Sequence, residues 1–279
     1  MKPLDQIKPG LLLEAQVNGF LSPSEQAKFQ EIPEEERYQQ YVNLLVKPIA
    51  HFSVINELYF RSRWAELIHH FYGTKPISLL EVASGDADMI VQAISRSNPD
   101  SRYITANMNK LLNDSMLRKT EGLPVKLELI DDDASLITDY IPSDSVDIVA
   151  FQHAVNDVLQ AILCSQHGID TVYSDWMGIL PQMIKLLQAE TADNTLEASV
   201  KEPFLALIKN MLQVLKPGGV IAVNHYMFQL DLDWGYPADL FENMLLMIRP
   251  WLTQLQGCTE FYMDGFDPQW WLFLRKEQV

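Results

Sequence analysis

Residues 77–93 read Ile-Ser-Leu-Leu-Glu-Val-Ala-Ser-Gly-Asp-Ala-Asp-Met-Ile-Val-Gln-Ala, and this stretch decides the fold. The apolar run 77–82, bounded by turn residues, predicts a buried parallel strand. Small residues follow it, and behind them begins an apolar pattern with a helical period. Such a turn lets a ligand approach the backbone closely, and the helix start presents free N–H groups. The stretch therefore predicts a nucleotide-type site, with an ordinary strand-to-helix turn as the alternative.

The composition is that of a globular protein with an acidic surface. The chain has 279 residues, enough for one large domain or for one domain with an appendage. Its formal net charge of -16 repels phosphate backbones, so a nucleic-acid partner is not expected. The two cysteines, Cys164 and Cys258, form no C-x-x-C pair, and we expect neither a disulfide framework nor a zinc site.

The sequence carries no apolar stretch that would direct it to a membrane. Residues 1–10 contain Lys2, Asp5 and Lys8 without a long apolar core, which is not the pattern of a secretory signal. No uninterrupted apolar run is long enough to cross a bilayer. The sequence therefore predicts a cytoplasmic protein without a membrane partner.

The sequence pattern of the first 75 residues predicts helices and no strands. The motif Ser22-Pro23-Ser24-Glu25 fits a capping box with proline at the first helical position. Pro33, followed by the acidic residues 34–36, predicts a second helix start, because acids favour the positive end of the helix dipole. A third helix is predicted over about 55–72, and it stops at Gly73. We expect a helical N-terminal cap over residues 1–75.

From residue 76 onward the pattern alternates between strands and helices, which predicts a domain with a parallel sheet over 76–279. The predicted strands are 77–82, 102–106, 126–130, 146–151 and 220–226. The helices predicted between the first four strands are 86–96, 110–121 and a short one near 135–140.

Two regions of the second half depart from simple alternation. A long helical region is predicted over about 153–215, and its middle, 168–194, exceeds what a crossover connection needs. We interpret that surplus as an insertion near the substrate site, the alternative being a packing helix remote from the chemistry. After a helix over 237–254, two apolar segments at 258–263 and 270–274 predict a closing antiparallel hairpin.

Several motifs, taken in order, resemble one enzyme family. Glu81-x-Ala83-x-Gly85-x-Ala87 resembles the first motif, acidic-x-Gly-x-Gly-x-Gly, of class I S-adenosylmethionine-dependent methyltransferases, although two glycines are alanine. A helix ending in Leu-Lys-Pro-Gly-Gly at 215–219, before an apolar strand, is similar to a later structural motif of that family. The resemblance covers roughly residues 77–274. It implies a doubly wound, mostly parallel, Rossmann-like sheet of seven strands that ends in a C-terminal antiparallel hairpin.

The same resemblance implies a set of residues that bind S-adenosylmethionine and its product S-adenosylhomocysteine. Glu81 would attract the cationic amino-acid end, and Gly85 would let the backbone approach the methionine part. Asn107 stands where the family has an acid that binds the ribose hydroxyls, and Asp133, or else Asp132, would accept from the adenine amino group. The full expected set is Glu81, Ala83, Gly85, Asp86, Asn107, Met108, Asp132, Asp133, Ala134, Phe151 and Gln152.

The predicted catalytic residues follow the fourth and fifth strands. His153 and His225 would lie at the carboxyl edge of the sheet, where a neutral histidine can remove a proton from an acceptor hydroxyl. Asp157, one turn beyond His153, could orient or replace it, and a structural role is the alternative for each histidine. His51, His69 and His70 are expected at the surface or in packing. The aromatic residues that could shape the acceptor pocket, or form core instead, are Tyr173, Trp176, Tyr226 and Trp234.

The sequence favours methyl transfer to a small organic acceptor, at oxygen or nitrogen. Because the first motif lacks two glycines and Asn107 replaces the acid, a non-catalytic binding protein with a weakened cofactor site is the second hypothesis. An NAD-linked oxidoreductase is the third hypothesis. Such an enzyme requires an acidic residue after the second strand, where this chain has Asn107. Magnesium prefers carboxylates that converge from separate elements, and the aspartates at 131–133 are adjacent in sequence. No metal is therefore expected. The oligomeric state stays open, with a homodimer as one alternative.

Overall fold

Seven strands form one mixed sheet in the computed structural model, which describes residues 21, 23–45, 47–50 and 54–278. The strands are β1 Ser78–Val82, β2 Arg102–Ala106, β3 Lys126–Ile130, β4 Val146–Gln152, β5 Leu215–Asn224, β6 Cys258–Phe261 and β7 Trp271–Lys276. Their spatial order is β3-β2-β1-β4-β5-β7-β6, and β7 runs antiparallel to both of its neighbours. Strands β1 to β5 are parallel to one another. This order and the antiparallel β7 confirm the predicted class I methyltransferase fold.

Helices cover the sheet and connect its parallel strands. In chain order they are α1 Pro23–Glu31, α2 Glu34–Leu45, α3 Val54–Tyr72, α4 Met89–Ser97, α5 Lys110–Thr120, α6 Ile137–Tyr140, α7 Val155–Gln166, α8 Trp176–Ala192, α9 Leu196–Val214, α10 Gln229–Trp234, α11 Ala238–Glu242 and α12 Met244–Leu252. A 3-10 turn, Ala134–Leu136, precedes α6. Strand order reverses between β1 and β4, and ligands bind in the crevice that such a reversal opens at the carboxyl ends of the strands.

Most predicted elements are present, and the differences have local causes. The helix predicted over 237–254 is broken at Asn243 into α11 and α12. The helix before β5 ends at Val214, so the motif that follows is extended instead of helical. Gly218 has φ +78° as expected, but Gly219 does not need positive φ. A Cβ on Gly219 would lie 2.8 Å from Leu215 Cδ1 and 2.9 Å from the Asp147 carbonyl, so close packing requires that glycine.

The last helix of the predicted N-terminal cap packs directly on the sheet. Phe60 and Trp64 of α3 are completely buried, and Trp64 Nε1 donates a hydrogen bond to Gln152 Oε1 on β4. The Tyr72 hydroxyl donates to the Asp147 carbonyl at 2.9 Å. Helix α3 therefore belongs to the same core as the sheet, whereas a domain boundary near residue 75 stays a prediction. The predictions for residues 1–10, Ser22 and His51 fall outside the described residues.

A buried cation ties the N-terminal helices to the turn after β1. Arg61 of α3 is 2% exposed, and its guanidinium donates to both oxygens of Glu25 on α1, at 3.0 and 3.1 Å. It also donates to Asp88 Oδ1, directly before α4, at 3.1 Å. Glu57 lies 3.5 Å from the same guanidinium, and burial raises its pKa to about 7. Three carboxylates thus share one cation, and Glu57 is the most weakly compensated.

Replacing Glu57 with glutamine should stabilise the protein at alkaline pH. Since the folded-state pKa lies above the unfolded value, ionised Glu57 destabilises the fold, and the penalty grows between about pH 4.5 and 7. We expect Glu57→Gln to raise the free energy of unfolding by about 1 to 2 kcal/mol at pH 8 and by much less at pH 5. Urea denaturation at both pH values measures this. Glu25→Gln is the matched control, and it should destabilise at both; equal effects of Glu57→Gln at the two pH values would contradict the assignment.

Among the helices of the described residues, none combines the length and the apolar character that crossing a bilayer requires.

Candidate functional site

A cavity of about 410 Å³ lies at the carboxyl edge of the sheet, beside the point where strand order reverses. Residues after β1, β2 and β3 form one wall, and helices α7, α8 and α9 form the other. The volume is within the range of small-ligand sites. Eight residues of the sequence-predicted set line it: Ala83, Gly85, Asn107, Met108, Asp133, Ala134, Asp157 and Trp176.

The turn after β1 brings backbone to the cavity in an uncommon conformation. Ala83 has φ +53° and Gly85 has φ +58°. The left-handed region costs a non-glycine residue about 1 kcal/mol, and such residues persist where their surroundings hold them. Here the Ala83 N–H donates to the Ala106 carbonyl of β2 at 3.0 Å, which fixes the turn. The sequence alternative of an ordinary turn does not require these angles.

Asn107, which follows β2, holds that turn with its side chain. Its Oδ1 accepts from the Gly85 N–H at 2.9 Å, and its Nδ2 donates to the Gly85 carbonyl at 2.8 Å and to Ser84 Oγ at 3.1 Å. The side chain is 4% exposed. The amide is therefore committed to the turn, and the expected hydrogen bonds to ribose hydroxyls would have to compete with these. An aspartate could not donate to the Gly85 carbonyl, so the geometry explains why an amide stands at this position.

Glu81 does not reach the cavity. Its carboxyl is 1% exposed and accepts a hydrogen bond from the Tyr103 hydroxyl of β2 at 2.6 Å. Burial raises the pKa of Glu81 to about 8, so the group is largely protonated at neutral pH. A neutral carboxyl that is turned into the core cannot attract the cationic end of a cofactor through charge. The expected role of Glu81 is corrected to a structural bond between β1 and β2.

Of the acids that follow β1 and β3, the structure places Asp133 in the cavity. Its carboxylate accepts from the Ser135 N–H at 2.7 Å and so caps the 3-10 turn. Asp132 instead accepts from the Tyr140 hydroxyl. Asp86 is bonded away from the cavity, to Lys119 Nζ and Ser115 Oγ on α5 at 2.8 and 2.9 Å. The geometry thus favours Asp133 over Asp132 and removes Asp86 from the expected ligand contacts.

The end of β4 is buried and does not line the cavity. Phe151 is completely enclosed in the core, and Gln152 accepts its hydrogen bond from Trp64. Neither residue therefore has a free surface against which an adenine or ribose ring could pack. Their place in the sequence motif is correct for the fold, but their side chains serve the core.

The two histidines expected at the sheet edge form a stacked pair outside the cavity. The rings of His153 and His225 have centroids 4.9 Å apart and planes at 17°. His153 Nδ1 accepts from the Tyr226 N–H at 3.2 Å, which places the ring proton on Nε2, and Nε2 lies 3.6 Å from Asp231 Oδ2. Burial lowers the pKa of His225 well below its usual value. Because its basic lone pair is occupied, His153 is poorly placed to act as the base.

Asp157 is the predicted catalytic residue that faces the cavity. It lies on the first turn of α7, and burial raises the pKa of its carboxyl to about 7, with His153 opposing and Asp231 adding to that rise. Asn156 Nδ2 donates to its Oδ1 at 2.9 Å. A carboxylate with such a pKa can accept a proton near neutral pH.

The expected aromatic pocket is dispersed. Trp176 lines the cavity, whereas Tyr173 is 70% exposed, with Lys110 Nζ 5.7 Å from its ring centroid. Tyr226 is buried, stacked on Trp270 and bonded through its hydroxyl to Tyr59 and Trp271 Nε1. Trp234 is 41% exposed at the end of α10 and does not line the cavity. Only Trp176 of the four is therefore placed to touch a ligand in this cavity.

Sequence reasoning missed the helical wall of the cavity. One stripe of α7 faces it, and the stripe consists of Asp157, Val158, Ala161, Ile162, Ser165 and Gln166. Pro203 and Leu207 of α9 complete this wall. The signal was the i, i+4 spacing of small and apolar residues next to an acid, but the same spacing is typical of a helix packed on a core.

The predicted insertion contacts the cavity rim. Asn109 Nδ2 donates to the carbonyls of Thr171 and Ser174, each at 3.0 Å, and the Lys110 N–H donates to the Val172 carbonyl at 3.2 Å. The segment before α8 is thus fastened to the loop after β2, next to lining residues. This segment therefore lies beside the cavity, and its role as an insertion that serves a ligand site stays a prediction.

No family model matches the chain, and no curated protein matches it. Solved structures similar to it include an S-adenosylmethionine-dependent methyltransferase from Aquifex aeolicus, with 11% identity, TM-score 0.45, and coverage of 77% of this chain and 89% of that one. The CurJ carbon methyltransferase has 13% identity and TM-score 0.46, with coverage of 99% and 69%. TrmN from Thermus thermophilus has 12% identity and TM-score 0.42, with coverage of 79% and 48%. All three TM-scores are below 0.5, and all three identities are 13% or lower.

Proposed function

We propose that this protein transfers a methyl group from S-adenosylmethionine to a small organic acceptor, at nitrogen or oxygen. One observation carries the proposal: a single cavity joins the turn at Ala83 and Gly85 to Asp133 and Ala134. That cavity lies at the sheet reversal where this fold binds ligands.

The residues present fit an adenosyl group. Asp133 offers a carboxylate acceptor for an adenine amino group, and Ala134 begins a 3-10 turn, so its N–H has no acceptor within the turn. Val158, Ala161 and Ile162 supply an apolar wall for a flat ring. When bound, S-adenosylmethionine supplies a methyl group that its sulfonium already activates. The protein then chiefly has to align the acceptor and exclude water.

Asp157 is the residue that we assign to the acceptor. It lines the cavity on the first turn of α7, and its raised pKa suits it to take a proton from an acceptor at neutral pH. His153 is a positioning residue, since its ring is fixed by the Tyr226 N–H and stacked on His225. A cytoplasmic location and the oligomeric state stay predictions.

Binding measurements on two neighbouring aspartates test the cofactor site. Asp133→Asn keeps an oxygen that can cap the 3-10 turn but removes the charge that would strengthen a bond to an adenine amino group. We expect S-adenosylhomocysteine to bind about fivefold more weakly, corresponding to about 1 kcal/mol. Titration calorimetry gives the affinity of each variant.

Asp132→Asn is the matched control, because it removes the same charge from the adjacent residue, whose side chain bonds Tyr140. It should leave the affinity within about twofold of the unsubstituted protein, less than the shift expected for a lost bond. Equal losses in the two variants would mean that only the general negative charge matters, and would contradict the role given to Asp133.

The internal hydrogen bonds of Asn107 and Glu81 support a second candidate function. Both side chains are bonded inside the protein, so two polar contacts that the family resemblance implies are not free. A non-catalytic protein with a weakened cofactor site would have this arrangement. Absence of S-adenosylhomocysteine binding at millimolar concentration would favour this second function over methyl transfer.

A further inference from the structure

The carboxylate of Asp157 is incompletely compensated in an apolar wall. Within the described residues, Asn156 Nδ2 is the hydrogen-bond donor found for it, and that bond engages Oδ1 alone. Its neighbours on the cavity side of α7 are Val158, Ala161 and Ile162. His153 offsets part of the cost of burying this charge, whereas Asp231, which carries the same charge, adds to that cost. A carboxylate in such surroundings is stabilised by a cation that arrives with the ligand.

The rim of the cavity after β3 is acidic. Asp131 and Asp132 follow the end of β3 and directly precede the lining residue Asp133. These acids disfavour an anionic ligand there. The α7 wall of the cavity is apolar, which suits a hydrocarbon group.

Lys110, at this rim, neutralises one of three adjacent aspartates. The Lys110 ammonium is held by Asp131 Oδ2 at 2.6 Å, with Asp132 and Asp133 following directly in sequence. The rim is therefore net negative, and a cation that approaches the mouth is attracted whereas a carboxylate or phosphate is repelled.

We propose, on the basis of the proposed function, that the methyl acceptor is an apolar amine that enters as an ammonium ion and places its nitrogen against the Asp157 carboxylate. The apolar α7 wall of Val158, Ala161 and Ile162 receives the hydrocarbon part. Asp157 takes one proton from the ammonium, and the electron pair of the broken N–H bond stays on nitrogen. That pair then forms the new N–C bond to the methyl carbon as the S–C bond breaks, and sulfur keeps the S–C electrons as a neutral thioether.

Three ligands with the same phenylpropyl skeleton test the proposal by titration calorimetry. They are 3-phenylpropylamine, 3-phenylpropan-1-ol and 3-phenylpropanoate, each titrated at pH 7.5 into the unsubstituted protein with and without saturating S-adenosylhomocysteine. We expect the amine to bind at least about tenfold more tightly than the alcohol, and the carboxylate to bind most weakly. Equal affinities of amine and alcohol would overturn the proposal.

Two variants test whether the Asp157 carboxylate causes the preference for the amine over the alcohol. Asp157→Asn should lower the affinity for the amine to that for the alcohol and leave S-adenosylhomocysteine affinity within about twofold, since the charge it removes serves the acceptor. Asp193→Asn removes an equal charge at the exposed end of α8 and should preserve the preference. An intact preference in Asp157→Asn would overturn the assignment. Loss of S-adenosylhomocysteine binding there would mean that Asp157 serves the cofactor, whereas failure of the unsubstituted protein to bind it would count against the proposed function alone.

Discussion

Tryptophan in place of Ala161 is expected to weaken S-adenosylhomocysteine binding by at least about 100-fold, corresponding to about 2.7 kcal/mol. Ala161 lies at the centre of the α7 stripe that faces the cavity, and its methyl group leaves room between that helix and the turn at Gly85. An indole at this position would occupy the volume that the adenosyl group requires. Titration calorimetry with the purified variant measures the loss.

The fold should tolerate this change, because the larger side chain projects into the cavity and not into the packed core. The free energy of unfolding of Ala161→Trp, from urea denaturation, should stay within about 1 kcal/mol of the unsubstituted value, as for substitutions outside the core. Ala161→Ser is the matched control and should bind S-adenosylhomocysteine normally. A folded Ala161→Trp protein with unchanged affinity would show that the ligand lies elsewhere.

Aspartate in place of Asn107 should destabilise the protein by about 3 kcal/mol at pH 7.5, although it restores the acid that the methyltransferase family carries. Asn107 is buried, and its Nδ2 donates to the Gly85 carbonyl and to Ser84 Oγ. An aspartate loses both donors and places a charge beside the carbonyl oxygen. Urea denaturation gives the free energy, and we expect cofactor affinity to fall as well, since the turn loses its support.

The pH dependence of this variant provides an internal check. The aspartate would keep the Gly85 N–H as a donor, but its burial and the facing Gly85 carbonyl would raise its pKa, so its penalty is present where it is ionised and shrinks as the pH falls toward 4. Asn243→Asp makes the same chemical change at an exposed position between α11 and α12 and should shift stability by less than about 0.5 kcal/mol. The opposite result would be an Asn107→Asp protein that is as stable as the unsubstituted protein and binds cofactor more tightly. That result would contradict the role of Asn107 in holding the Gly85 turn and would support a role for residue 107 in binding the ribose hydroxyls.

The fold could be predicted because its signals are local. The apolar runs at 102–106 and 126–130 become β2 and β3 with the predicted bounds, since each run is short and ends at turn residues. The antiparallel pairing of the last segments followed from the turn between them. The break at Asn243 and the early end of α9 at Val214 could not be predicted, because helix period continues through both positions.

The site was predictable in position but not in side-chain roles. Chain order places Gly85, Asn107 and Asp133 at one sheet edge, and the structure brings them to one cavity. Whether a side chain faces the ligand or the protein depends on neighbours from other elements. The Tyr103 hydroxyl donates a hydrogen bond to the Glu81 carboxyl, and the Tyr226 N–H donates one to His153 Nδ1. The spacing of these residues in the sequence reveals neither bond.

The most direct test of the central claim is a crystal structure of the protein grown with S-adenosylhomocysteine. The adenosyl group should lie in the cavity between the turn at Gly85 and helix α7, with its amino group at hydrogen-bond distance from the Asp133 carboxylate. A cavity closed by Met108, Leu112 and Trp176, or density for the ligand on another surface, would contradict the claim.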